Sequence, residues 1–86
     1  MRVELELRNM KLAVVMDILT QAGGTATGER SVQGKGWQSR VDELEPALVG
    51  SMIRIRRDLV VIEGDDETIV TPVYDFVRQN MIRGGG

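Results

Sequence analysis

Most of the strand-like sequence lies in one block between two amphipathic helical segments. That order favours an antiparallel sheet carrying both helices over a parallel sheet built from βα repeats. One strand precedes the block. Residues 2–8 alternate without a break, with Val3, Leu5 and Leu7 on one side and Arg2, Glu4, Glu6 and Arg8 on the other. A period of two with one apolar side predicts a strand with one buried and one wet face. Asn9 then suits an N-cap, and Met10, Ala13, Val14, Ile18 and Leu19 fall close to helical spacing. Gly23 and Gly24 supply a stop, so a helix is predicted over 10–22.

The block itself is less regular. Residues 23–36 are rich in Gly, Thr and Ser, and Thr25–Gln33 suits either one strand of a loose hairpin or an ordered loop. A second strand is expected over Trp37–Val41. Residues 42–48 could form a single helical turn, limited by Pro46. Ser51–Arg57 alternates again, and the continuous run Leu59–Ile62 suits a strand buried on both faces. That run must be central in the sheet or covered by another subunit. Gly64-Asp65-Asp66 signals a turn. Glu67–Val70 is a short returning strand or the approach to a last helix. Thr71-Pro72 fits an N-cap followed by a first-position proline, and Val73, Phe76, Val77 and Met81 form the apolar stripe of a helix over 72–82.

The expected fold is therefore α+β: a two-layer arrangement with a mainly antiparallel sheet of four to five strands and helices 10–22 and 72–82 packed on one face. Arg2, Glu4, Glu6, Arg54 and Arg56 are expected on the opposite, solvent-facing side. With 86 residues there is room for one domain, 1–83, followed by a flexible glycine tail, 84–86. Trp37, Tyr74 and Phe76 are the only aromatics, so the core must be aliphatic. Packing quality or a partner subunit then sets the stability margin.

The chain has neither histidine nor cysteine. This removes the usual proton carrier near neutral pH, the thiol nucleophile, disulfides and every Cys/His metal site. Adjacent carboxylates in an exposed turn, such as Asp65 and Asp66, rarely have the burial that acid–base catalysis needs. No enzyme is expected. No apolar stretch approaches bilayer length, so no membrane association and a cytoplasmic location are expected.

Charge is unevenly placed. Residues 23–40 carry Arg30, Lys35 and Arg40 against Glu29, whereas residues 41–67 carry eight acids against Arg54, Arg56 and Arg57. Asp42, Glu43 and Glu45 precede one set of strands, and Asp65, Asp66 and Glu67 follow the last. Should both turns lie at the same end of the sheet, these oxygens would make a weak site for a divalent cation such as Ca²⁺. Acids before a helix and Asp-rich turns also have purely conformational reasons.

The alternative site is Arg30, Lys35, Trp37 and Arg40, within 30–40. Cations, glycines and a single stacking platform are the minimum for an anion or single-stranded nucleic acid, though the footprint is small. A loop anchored by Trp37 in the core explains the same residues. Arg54 and Arg56 are expected to pair with Glu4 and Glu6 across strands.

Residues 7–24, LRNMKLAVVMDILTQAGG, resemble the opening of ACT-type regulatory domains: a strand, a polar turn and an amphipathic helix closed by Gly. The resemblance covers about the first quarter of the chain. Met10-Lys11 stands where those domains place a glycine, and no functional residue carries over. Gly84-Gly85-Gly86 resembles the ends of ubiquitin-like modifiers and sulfur carriers, where a terminal diglycine is the reacting group. Those families follow a ββαββ order and their tails leave a strand; here the tail follows a helix, which suits a C-cap and frayed glycines.

These readings make the chain a small non-catalytic binding or structural module, with the acidic turns as its cation site. The alternatives are anion or nucleic-acid binding through 30–40, and a homo-oligomeric assembly or regulatory module, with a homodimer or another protein as partner.

Overall fold

The computed structural model describes residues 1–84. The expected α+β architecture is present, with five strands and two helices: β1 (Arg2–Arg8), α1 (Leu12–Gln21), β2 (Thr25–Gly28), β3 (Ser31–Gly34), β4 (Trp37–Val49), β5 (Ile53–Glu63) and α2 (Glu67–Gly84). The strands form one antiparallel sheet in the order β1-β5-β4-β3-β2. β2 to β5 are a meander, and β1 closes the free edge of β5. α1 carries the chain from one edge strand to the other. Among the described residues the order ends on a helix rather than a further strand, which departs from the ACT-type resemblance, and it lacks the opening hairpin of the ubiquitin-like modifiers.

The core lies between the sheet and both helices. Val15, Ile18 and Leu19 of α1 and Val70, Val73, Val77 and Met81 of α2 pack with Leu7, Val32, Trp37, Val41, Val60 and Ile62. β5 lies between β1 and β4, so Leu59–Ile62 is central and hydrogen-bonded on both edges, as its apolar run requires.

Three local expectations are corrected. α1 begins at Leu12, not residue 10. Asn9 is not its cap; it turns the chain in the left-handed region at φ 57, a conformation Asn tolerates better than most residues. Its amide donates to the Arg56 carbonyl at 2.9 Å, which extends the strand ladder and delays the helix. Residues 42–48 make no helical turn: β4 runs through them, and a register shift between Leu44 and Ala47 accommodates Pro46. α2 starts at Glu67, five residues before the expected start. Asp66 accepts hydrogen bonds from both the amide (2.9 Å) and the hydroxyl (2.7 Å) of Thr68, and this cap outranks the proline signal. Pro72 therefore lies inside the helix. Gly84 is the last residue of α2, and Gly85 and Gly86 of the expected tail lie outside the described residues.

The arginine strand is also turned over. Because β5 is continuous from Ile53, the core positions Val60 and Ile62 set its parity, and Arg54, Arg56 and Asp58 share their face. Arg56 donates to Asp58 rather than reaching Glu4 or Glu6, and Arg57, on the open face, is the residue that pairs with Glu6. Arg2–Glu4 (3.0 Å), Arg40–Asp42 (3.0 Å) and Arg40–Glu63 (3.2 Å) continue the charged layer. The register places Val61 between Glu4 and Arg40, and it is only 1% exposed. Long side chains cover apolar strand surface on this side.

Candidate functional site

β4 and β5 form a ribbon that projects beyond the helices. At about 3.3 Å per residue, their register from Gln38↔Glu63 to Val49↔Ile53 runs along most of the 43 Å long axis. Two features stand at its ends.

At the far end the ribbon closes through Gly50, whose φ of 65 suits a residue without Cβ. The surrounding sequence, Pro46 to Ile53, carries no charge. Leu48, Val49, Met52 and Ile53 are exposed by 66%, 48%, 89% and 59%. Leu48 opposes Arg54 on one face, and Val49 opposes Ile53 on the other, so the tip is apolar on both sides. Arg54 is exposed and joins no ion pair among the described residues. Single exposed apolar residues are ordinary; four together at a projecting tip mark a contact surface. Sequence reasoning missed this site. The signal was present in the uncharged run 46–53, but with 42–48 assigned to a helical turn the run had no common face.

At the near end a cleft of about 550 Å³ opens where β4 begins and β5 ends, lined among others by Gly36, Trp37, Glu63, Asp65, Asp66 and Ile69. The indole is built into the cleft wall. A Cβ on Gly34 would collide with its Nε1 and Cε2, and one on Gly24 would meet its Cη2 at 2.9 Å. These two glycines thus admit Trp37 to the core, where it is 6% exposed. Gly64 is constrained in the same way by the Gly36 carbonyl and Val70.

The two acidic segments do not converge. Asp42 and Glu43 lie in mid-β4, opposite Leu59 and Asp58, while Asp65, Asp66 and Glu67 follow the end of β5 beside the cleft. Asp42 accepts from Arg40, Glu43 pairs with Arg30 at 3.5 Å, and the Glu45 carbonyl accepts from Arg57 at 3.2 Å. Asp66 caps α2, and Glu67 lies in its first turn, where a negative charge is favourable. The hydrogen bonds from Thr68 hold the Asp66 carboxyl below its ordinary range. Among the described residues no group of three or more acids is arranged to hold a metal ion.

The 30–40 set is also dispersed. Trp37 is buried, and Lys35 is exposed in the turn between β3 and β4. Arg40 lies on the open face with Asp42 and Glu63, its guanidinium held more firmly protonated by the Asp42 hydrogen bond first and the Glu63 pair after it. Arg30 donates to the Val41 carbonyl at 3.4 Å and approaches Asp58 at 3.9 Å. Arg30 and Arg40 are engaged with the sheet, Lys35 joins no ion pair among the described residues, and the Trp37 indole sits in the cleft wall with little of its surface exposed.

No helix among the described residues is long and apolar enough to cross a membrane. No curated protein matches the sequence. The family model described as "Archaeal MoaD-like protein" matches residues 3–86, nearly the whole chain and both ends of the ribbon. This small α+β protein belongs to the archaeal MoaD-like family.

Proposed function

We propose that the chain is a non-catalytic protein-binding module whose contact element is the β4–β5 tip. The observation that carries this reading is the exposure of Leu48, Val49, Met52 and Ile53 together on a projecting, uncharged hairpin. A hydrogen-bonded ribbon presents them already paired in a strand ladder, and such a cluster is where an anchor for a partner pocket is found. A photo-crosslinking side chain at position 52, with Gln79 on α2 as control, tests it in cells. A discrete adduct from position 52 that disappears with Ile53→Asp supports the reading. Equal labelling from both positions, or none from position 52, overturns it.

A second reading is favoured by the reach of the family match to Gly86: the glycine run serves as a reacting carboxyl end, as in the modifiers and sulfur carriers it resembles. This requires Gly86 to be carboxyl-terminal in the mature protein. Intact mass of protein purified from its native cells tests both points. Replacement of one carboxyl oxygen by sulfur, or an isopeptide-linked partner, supports the carrier reading; an unmodified or extended terminus in every preparation removes it.

A further inference from the structure

The tip and the cleft lie at opposite ends of one ribbon, and their chemistries match. The tip offers apolar side chains beside Arg54, which joins no ion pair among the described residues. The cleft offers the exposed Ile69 and the little-exposed edge of Trp37 beside exposed Asp65 and Asp66, while Arg2 and Glu63 on the same lining pair with each other. Asp66 is committed to the α2 cap, whereas Asp65 makes no side-chain hydrogen bond among the described residues.

We propose that the occupant of the cleft is the β4–β5 tip of a second copy of this chain, with Met52 and Leu48 against Trp37 and Ile69 and Arg54 facing Asp65. The inference rests on the tip being a contact element, as proposed above, and names its partner. A two-fold tip-to-tip dimer fits less well. It leaves Arg54 without the acid that Asp65 offers at the cleft. The tip-in-cleft contact is heterologous instead. Each copy keeps one free tip and one free cleft, so assembly continues into open chains or closes as a ring. The cleft's volume is within the range of about 300–1,000 Å³ that ordinarily receives a small ligand, enough for side chains but not for a whole element. The association is therefore weak and depends on protein concentration.

Sedimentation of the purified chain from micromolar to millimolar concentration tests this, together with two surface variants. Met52→Asp spoils the tip and Asp65→Arg spoils the cleft; both positions are exposed, and circular dichroism checks that each variant folds. The wild-type mass is expected to rise past dimer as concentration increases, while each variant alone stays monomeric. An equimolar mixture is expected to form a dimer that grows no further, because only the good tip of Asp65→Arg and the good cleft of Met52→Asp remain to meet. A wild-type monomer at every concentration overturns the inference. So does association that Met52→Asp abolishes and Asp65→Arg leaves intact, which is the signature of tip-to-tip pairing. A position-52 crosslink to a different protein likewise overturns it while leaving the docking reading in place.

Discussion

Arg56 grips Asp58 two positions along the same strand, with Nε–Oδ2 at 2.9 Å and Nη2–Oδ1 at 3.3 Å. The carboxylate is 1% exposed while the guanidinium reaches solvent. Arg30 approaches the same carboxylate from β3's side at 3.9 Å, and the hydrogen bond that Arg56 donates to Asp58 holds the guanidinium still more firmly protonated. Removing the arginine strands a buried charge, whereas removing the charge leaves two cations that water can reach. Arg56→Met is therefore expected to cost about 2–3 kcal/mol and Asp58→Asn about 1 kcal/mol, read from urea unfolding midpoints. Equal costs would mean that Arg30 alone satisfies the acid.

Acid should unfold the protein through specific carboxylates. The Glu6 carboxyl lies below its ordinary range, first because Arg57 donates a hydrogen bond to it and then through the charges of Arg57 and Arg8. Asp66 is lowered by Thr68. In the unfolded chain these groups take up protons at higher pH than in the folded one. Their stabilisation is complete above the ordinary carboxylate range of about 4 and is lost as pH falls through the depressed values. Glu6→Gln and Asp66→Asn should each flatten the dependence of stability on pH below about pH 5, measured by chemical unfolding at a series of pH values. A slope identical to wild type would exclude these two acids as its source.

Gly34→Ala should push Trp37 out of its seat. The added Cβ overlaps the indole, and a packed core yields to such an insertion at about 1–3 kcal/mol. Tryptophan emission should shift to the red as the ring gains water. An unshifted spectrum with wild-type stability would mean that the indole is not held there.

Ser39 is buried between Val32 and Ile62 in the sheet register, and its hydroxyl has no partner among the described residues. Ser39→Ala removes an unsatisfied polar group and little volume. It should be neutral or stabilising by up to about 1 kcal/mol in thermal or urea unfolding. A clear loss would reveal a partner for the hydroxyl, an ordered water foremost.

The candidate site was less legible than the core. Val3, Leu5 and Leu7 could be assigned to a buried face because a one-residue slip would expose all three, and Val60 and Ile62 had to be covered on any reading. The acidic clusters looked like a site because composition places charges in the chain without placing them in space. β4 then carried Asp42 and Glu43 into mid-strand and left Asp65 to Glu67 beyond the end of β5.

By itself the sequence determined what its local patterns repeat often enough to specify: the first strand, an aliphatic core, two helices, an α+β class, and chemistry without thiol or imidazole. Tertiary structure decided everything that depends on register. The ladder that continues through Asn9 moved the start of α1, and the Asp66 cap moved the start of α2 past a proline. The bulge at Pro46 let β4 run as one strand to the tip. The unbroken pairing of β5 put Arg56 on the face of Asp58 and Arg57 beside Glu6. Each of these outcomes satisfies backbone groups with partners distant in sequence or sets a strand's parity from its buried end. Local propensity has no access to either, and so the tip and the cleft appear only once the ribbon between them is built.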